Sequence, residues 1–150
     1  MRKPYFPDKK GPSPLSFTVE RRVRFEEVDP LGIVWHGRYA SYFEDARVAH
    51  GDHFGIGYLD FYKYGITTPI KQFHVDYAQP LIYGETYAIE ARLHWTEAAR
   101  LNYEFFITNA TGDLLTRGYS VQLMVDEHRE LLVFPPEFYV EFLESWRVNQ

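Results

Sequence analysis

The chain has 150 residues and a formal net charge of −5, from 21 acidic and 16 basic side chains. This length suits one domain with a substantial core. The acidic balance argues against nucleic acid as a partner, although a local basic patch could still bind a phosphorylated ligand. Because there is no cysteine, disulfides, thiolate zinc sites and a cysteine nucleophile are excluded.

Residues 1–14 are predicted to form a proline-rich N-terminal tail, since four prolines fall there among lysine and glycine. No apolar segment approaches the roughly 18 residues of a transmembrane helix, and the N-terminus lacks the apolar stretch of a signal peptide. We therefore expect one domain over residues 15–150, no membrane span and a cytoplasmic location.

The first strand is predicted from Phe17 to Glu26, because residues alternate over this range between two faces. It leads into a turn at Asp29, where Pro30 fixes φ and Gly32 takes a position that a side chain would crowd. On spacing alone, Asp29 would bond its own backbone. The face expected to be buried carries Phe17, Val19, Arg21, Val23 and Phe25.

A long helix is predicted from about His36 to Phe54, where residues recur at helical spacing and two glycines follow. Its buried face would carry Tyr39, Tyr42, Phe43 and Ala46. The first amides of such a helix have no internal partner, and the helix dipole is positive at that end. A carbonyl oxygen that develops negative charge would be stabilised there.

Four further strands are predicted at about 70–77, 87–95, 101–107 and 115–125, each with alternating apolar residues. Pro135 and Pro136 precede a last helix. A long helix combined with five strands predicts an α+β fold, and residues 36–54 form the long apolar stripe available to cover the sheet.

The segment from Val23 to Arg47 resembles the signature of the 4-hydroxybenzoyl-CoA thioesterase family, especially its YbgC-like acyl-CoA branch. The matching positions are Val23, Arg24, Asp29, Gly32, Val34, His36, Tyr39, Glu44 and Arg47. A second segment, D-Y-A-Q-P-L-I-Y-G-E over 76–85, resembles another motif of that family. The resemblance covers about residues 17–127. It implies the hotdog fold, in which an antiparallel five-stranded sheet wraps around a long central helix, and a homodimer or homotetramer.

The resemblance also implies an acyl-CoA thioesterase that hydrolyses an acyl or aroyl thioester to a carboxylic acid and CoA. Asp29 would act either as a nucleophile that forms a mixed anhydride or as a base that activates water, and the sequence leaves both open. The His36 side chain would assist, and the amides of His36 and Gly37 would polarise the carbonyl. No cofactor or metal is expected. The substrate pocket, at a dimer interface, would be lined by Tyr39, Tyr42 and Phe43.

Other residues permit weaker interpretations. Arg100, in a predicted hairpin, is a candidate for contact with CoA phosphates, although such residues are usually only solvated. Glu44 and Arg47 fit an exposed ion pair, although some related enzymes use a helix carboxylate in catalysis. His50 and His53 could share a helix face, but no third metal ligand is evident.

Alternative functions remain open within and outside the enzymes. Within the enzymes, the alternatives are an acyl-carrier-protein thioesterase and a hotdog dehydratase, and a dehydratase would lack the D-x-x-G-x-V-x-H run present here. A non-catalytic protein that binds acyl thioesters is the alternative from a different class. Phe25 also departs from the resemblance, because some relatives carry a tyrosine there whose hydroxyl could orient the substrate carbonyl.

Overall fold

The computed structural model describes residues 4–7 and 11–149, so the expectations for residues 1–3, 8–10 and Gln150 lie outside the described residues. Five strands form one antiparallel sheet in the order β1-β3-β4-β5-β2, with β1 and β2 at its edges. The elements are β1 Leu15–Arg22, α1 Tyr39–Phe54, α2 Tyr58–Tyr62, β2 Ile70–Tyr77, β3 Thr86–His94, β4 Arg100–Thr108, β5 Leu114–Leu123 and α3 Glu137–Val148.

The sheet packs its inner face against α1, and alternate residues of β3 and β4 are buried there as their sequence predicts. These inner residues are Tyr87, Ile89, Ala91, Leu93, Leu101, Tyr103, Phe105 and Ile107. The α+β class and the hotdog arrangement, a five-stranded antiparallel sheet with a long helix against it, are confirmed.

The approach of α1 to the sheet depends on a glycine. The Phe43 ring of α1 stacks on Phe105 of β4, with centroids 4.5 Å apart and planes 7° from parallel. A Cβ atom on Gly118 of β5 would lie 2.4 Å from Phe43 Cε2 and 2.4 Å from the carbonyl oxygen of His74. Gly118 therefore leaves the space that the Phe43 ring fills.

The first strand ends earlier than its alternation predicts. β1 stops at Arg22, and Phe25–Glu27 form a 3₁₀ turn in place of the last strand residues. The Glu27 carboxylate accepts a hydrogen bond from the Arg24 amide (2.8 Å) and so favours the turn over an extended chain. As a result, the prediction that Phe25 is buried is wrong, because its side chain is 78% exposed while Glu27 is 2% exposed.

The long helix ends where predicted but starts with a tighter turn. His36–Arg38 form a 3₁₀ turn, in which the Arg38 amide donates to the Trp35 carbonyl at 2.9 Å, and α1 proper begins at Tyr39. Gly55 follows the last residue with φ of 75°. Within residues 4–7 and 11–149, no helix is long and apolar enough to cross a membrane.

The described part of the N-terminal tail lies against the outer face of the sheet. The Tyr5 hydroxyl donates to the Asp76 carboxylate of β2, and the Tyr5 ring lies 4.8 Å from that of Tyr119 on β5. The Phe6 ring lies 5.1 Å from the imidazole of His94 on β3. The two aromatic residues therefore span β2, β5 and β3, and we call residues 4–7 the strap.

Beneath the strap lies a buried ion pair. Arg117 donates to Glu104 through Nε (3.0 Å) and Nη2 (2.7 Å), and His94 Nε2 lies 2.9 Å from the other Glu104 oxygen. The Arg117 guanidinium carbon lies 4.0 Å from the centre of the Tyr5 ring. The strap excludes water here. Charges without access to water are tolerated only when they are paired and hydrogen-bonded, as these are.

His50 of α1 is a core residue rather than half of a metal site. Its Nε2 lies 2.9 Å from the Leu15 carbonyl oxygen, and its Nδ1 lies 2.9 Å from the Tyr103 hydroxyl. Since a carbonyl can only accept, Nε2 carries the proton and Nδ1 accepts from Tyr103. Burial lowers the pKa of His50 to about 4.

This lowered pKa predicts a loss of stability in mild acid. The folded state keeps His50 neutral, whereas the unfolded chain binds a proton below its usual pKa of about 6.5. The contribution is complete above that pH and is lost as the pH falls toward 4. Between pH 7 and pH 5 the free energy of unfolding should fall by about 2 kcal/mol more in the wild type than in His50→Gln. Urea unfolding at both pH values measures the difference.

His53→Gln is the matched control, because His53 is exposed on the same helix. It should keep most of the pH dependence of the wild type, because burial is the main cause of the lowered pKa of His50 and the charge of His53 adds only a smaller part. A His50→Gln protein with that same dependence would show that His50 is not the titrating group.

Candidate active site

Asp29 is held by the turn that the sequence predicts. The Asp29 carbonyl accepts from the Gly32 amide (2.9 Å), and Gly32 has φ of 77°, which a residue without Cβ adopts at little cost. The Leu31 amide donates to Asp29 Oδ1 at 2.8 Å. Among the described residues, none donates to Oδ2, so one carboxylate oxygen remains available to a ligand.

The rest of the Asp29 loop, residues 28–35, is fixed by backbone hydrogen bonds. The Val34 amide donates to the Leu81 carbonyl at 2.9 Å, and the Tyr83 amide donates to the Gly32 carbonyl at 3.1 Å. At the base of the loop, the Trp35 amide donates to the Glu27 carbonyl at 2.9 Å. The loop that presents Asp29 is therefore attached to the 81–83 segment on one side and to residue 27 at its base.

Asp29 and His36 line one cavity of ≈ 340 Å³ at the start of α1. The half-buried Asp29 and the exposed His36 contribute polar groups, and Tyr39 forms a buried wall. The end of β2 forms the opposite wall. The lining residues are Asp29, Ile33, Val34, His36, Tyr39, Tyr77, Ala78, Gln79 and Pro80.

Tyr77 of β2 connects the two walls. Its hydroxyl donates to the His36 carbonyl at 2.9 Å, and its ring meets that of Tyr39 edge-on, with centroids 4.7 Å apart. Burial raises the pKa of both tyrosines, so both hydroxyls are neutral at ordinary pH. Sequence analysis missed Tyr77 as a site residue, although its place in the second motif and at the end of a strand was a usable signal.

The amides of His36 and Gly37 precede the first amide bonded within the 3₁₀ turn, that of Arg38. Neither donates to an acceptor among the described residues. The Trp35 ring covers Gly37, since a Cβ there would lie 2.2 Å from Trp35 Cζ3. Gly37 thus permits close packing of Trp35 next to the two amides.

The other expected site residues lie outside this cavity. Tyr42 and Phe43 are fully buried beneath α1, where Tyr42 donates to Glu27 and Phe43 contacts the sheet. Arg100 begins β4 and precedes Ile107 by seven residues. Ile107 and Tyr77 pair with the same residue of β5 from its two sides, so they lie at the same level of the sheet. Arg100 therefore lies about 23 Å along the sheet from the cavity within one chain. Phe25 does not line the cavity, and its ring meets that of Tyr83 edge-on at 5.8 Å.

Glu44 and Arg47 form a loose pair on α1. Glu44 Oε2 lies 3.8 Å from Arg47 Nη2, and the Glu44 side chain is 63% exposed. Arg47 is buried and donates to the Tyr58 hydroxyl at 3.0 Å. Neither side chain lines the cavity that holds Asp29, so the structure brings Asp29, His36 and Tyr39 together but not Glu44.

Comparison with known proteins identifies the family to which this chain is similar. The thioesterase-like superfamily matches residues 23–143. YneP of Bacillus subtilis (strain 168), named as a proposed acyl-CoA thioesterase, is 32% identical over 108 residues, which are 72% of this chain and 78% of that protein. The chloroplastic acyl-acyl carrier protein thioesterase ATL3 of Arabidopsis thaliana is 31% identical over 104 residues, which are 68% of this chain and 55% of that protein.

A solved structure agrees with these relatives. The structure of the DHNA-CoA thioesterase from Staphylococcus aureus has a TM-score of 0.79 and 25% sequence identity to this chain. The match covers 89% of this chain and 93% of that one. The similarity therefore extends over nearly the whole described fold, including the loop and helix start that form the cavity.

The turn at Gly32 provides a test of how the Asp29 loop is held. A Cβ on Gly32 meets nothing within 4 Å, so a substitution there is opposed by backbone conformation alone. Gly32→Ala should lower the free energy of unfolding by about 1 kcal/mol, because an alanine at positive φ is strained. Gly32→Asn should cost less, since asparagine tolerates that conformation. Equal losses in the two variants, measured by urea unfolding, would contradict the explanation.

Proposed function

Because this chain belongs to the thioesterase-like superfamily and is a thioester hydrolase, we propose that it hydrolyses an acyl-CoA to a carboxylic acid and free CoA. The cavity shared by Asp29, His36 and Tyr39 is the observation that carries the proposal. It brings the available carboxylate oxygen of Asp29 together with His36 at the helix start and with an apolar wall. The unbonded amides of His36 and Gly37 are proposed to face it. We also propose that, within the superfamily, the chain belongs to the 4-hydroxybenzoyl-CoA thioesterase branch and to its YbgC-like group.

Asp29 Oδ2 is the proposed reacting atom. In one mechanism it attacks the thioester carbonyl, the C–S bond breaks with release of CoA thiolate, and water hydrolyses the resulting anhydride. In the other it accepts a proton from a water that attacks the same carbonyl, the C–S bond then breaks, and the leaving CoA thiolate takes up the proton. The Leu31 amide on Oδ1 orients the carboxylate for either role.

The amides of His36 and Gly37 are the proposed donors to the carbonyl oxygen as it becomes negative. The positive end of α1 favours charge at this position, and each such donor contributes about 3 kcal/mol in other acyl-transfer enzymes. The His36 side chain would assist by holding the carbonyl or the attacking water. Tyr77, which fixes the His36 carbonyl, would keep the helix start in place.

The alternatives are a substrate attached to acyl carrier protein and a protein that binds acyl thioesters without turnover. The carrier-protein alternative is supported by the similarity to ATL3, of which this chain spans 55%. The binding alternative is opposed by an oriented carboxylate with one oxygen unbonded by the described residues. The acyl-CoA reading is preferred because YneP matches more of this chain and of its own length.

A homodimer formed through β2 is also proposed. Among the described residues, β2 pairs with β5 on one side and with no strand on the other. Its apolar side chains Ile70, Phe73 and Tyr77 are 45%, 42% and 52% exposed. An exposed edge strand with apolar side chains is a ready template for a second strand. Because the end of β2 lines the cavity, a partner on β2 would border the substrate.

A homotetramer, a cytoplasmic location and contact of Arg100 with CoA phosphates stay predictions. The last of these would need the partner subunit, since Arg100 is far from the cavity of its own chain.

Free-thiol release from a panel of short, long and aromatic acyl-CoAs tests the function. The wild type should turn over at least one of them, and Asp29→Ala should lose about a hundredfold or more in kcat/KM. The reason is that the variant lacks both a nucleophile and a base at the carbonyl. Circular dichroism should show an unchanged fold.

Glu44→Ala is the matched control, because it removes a carboxylate from α1, the helix that borders the cavity, at a side chain that does not line the cavity. Its activity should stay within about twofold of the wild type. Turnover that survives Asp29→Ala would refute the mechanism. Silence across the panel, followed by release from acyl carrier protein, would establish the first alternative.

The β2 dimer is tested by light scattering coupled to size exclusion. The wild type should have at least twice the chain mass of 17.8 kDa, and four times that mass if two such dimers associate. Phe73→Glu, near the middle of β2, should shift the protein toward monomer, because two copies of the charge would meet across the two-fold axis. Val133→Glu, at a side chain that is 82% exposed outside the sheet, is the control and should leave the mass unchanged. A dimer that persists in Phe73→Glu would locate the interface elsewhere.

A further inference from the structure

Residue 27 closes the base of the Asp29 loop. The Glu27 carbonyl accepts from the Trp35 amide at 2.9 Å, and Val28 bridges to Val34 in the next pair of the loop. Asp29 is therefore two residues beyond Glu27 on one arm of the loop, and His36 directly follows Trp35 on the other. A shift of residue 27 would move both groups that the proposed reaction uses.

The Glu27 side chain is buried and bonded to three separate segments. Its carboxylate accepts from the Arg24 amide (2.8 Å) and from the Tyr42 hydroxyl of α1 (2.8 Å), and Arg21 of β1 donates to its other oxygen. Tyr42 is fully buried and follows the cavity residue Tyr39 by three positions on α1. One carboxylate thus connects β1, the 3₁₀ turn and the first turns of α1.

Arg21 extends this connection along α1. It also donates to Ser41 Oγ (3.0 Å) and to Asp45 Oδ2 (3.0 Å), and its guanidinium carbon lies 3.7 Å from the centre of the Tyr42 ring. Burial acts to raise the pKa of Glu27, but the hydrogen bonds from Arg24, Arg21 and Tyr42 outweigh it and hold that pKa below its ordinary value. The Glu27 carboxylate is therefore charged at neutral pH, and each of its two oxygens accepts at least one hydrogen bond.

We propose that Glu27 is a positioning residue that fixes Asp29 relative to the start of α1. It lines no part of the cavity, so it does not touch the substrate. Its carbonyl holds the base of the loop, and its carboxylate holds that base to the helix that carries His36 and Tyr39. Because errors of about 1 Å in placement can cost on the order of a hundredfold in rate, such a residue would affect turnover without contacting the reacting atoms.

This inference rests on the proposed function, and Glu27→Gln tests it. Glutamine keeps the size of the side chain but turns an amide group toward Arg21 or Arg24, where an acceptor is required. The expected result is a loss of kcat of about tenfold or more with KM nearly unchanged, because the loss concerns alignment rather than binding. In the Asp29→Ala background the same substitution should cause a much smaller loss, since no carboxylate remains to be aligned.

Hydrogen exchange gives a readout that does not need turnover. Glu27→Gln should speed amide exchange over residues 28–36 while the β3 and β4 strands exchange as in the wild type. Asp45→Asn is the matched control. It removes the carboxylate of Asp45, which is the other partner of Arg21 and belongs to a side chain that is 54% exposed. The substitution should leave both kcat and exchange nearly unchanged.

The outcomes separate this inference from the proposed function. A wild type that is inactive on every acyl-CoA, or an active Asp29→Ala, would reject the function but not the exchange result. A Glu27→Gln protein with unchanged exchange over residues 28–36 would overturn the inference. The inference would also be overturned if Glu27→Gln lowered kcat by the same factor in the wild-type and Asp29→Ala backgrounds and raised exchange across the whole protein. These results would show a general loss of stability.

Discussion

The distance between α1 and the sheet depends on the Phe43 ring, which fills the space that a side chain on Gly118 would occupy. Phe43 occupies the space above Gly118 and stacks on Phe105, so the helix axis can lie only where that ring fits. Packed interiors tolerate little change in volume, and this contact therefore limits how far α1 can shift against the sheet. The start of α1, four residues before Phe43, is placed above the end of β2, and the cavity is the gap left between them.

The cavity joins features that are weak when taken singly. An aspartate in a D-P-x-G turn commonly bonds its own backbone, as Asp29 does through Leu31, and a helix start alone is no site. Here the turn leaves one carboxylate oxygen unbonded by the described residues, and the His36 and Gly37 amides come seven and eight residues later in the chain. Asp29 and His36 line the same cavity, and Tyr77 holds the His36 carbonyl from the opposite wall.

The parts of the structure that depend on local sequence could be predicted, and the parts that depend on distant pairing could not. The inner-face residues of β3 and β4 recur at every second position, and the Asp29 turn and α1 carry their own signals. The burial of Glu104 on the outer face of β4 depends instead on Arg117 of β5 and on the strap. Phe25 continues the alternation of β1, yet it is exposed because the buried Glu27 carboxylate binds the Arg24 amide and ends the strand. Tyr77 joins the site through the register of β2 on β5, which no local pattern specifies.

The strap has a consequence for the order in which the chain folds. Its partners are remote in sequence, since Tyr5 reaches Asp76 across 71 positions, and nearby Ser13 accepts from Trp146 across 133. Contacts of such long range carry a large loop-closure entropy and depend on surfaces that form only when the sheet and α3 are complete. The strap is thus among the last segments to dock, and the Arg117–Glu104 pair stays in contact with water until it does.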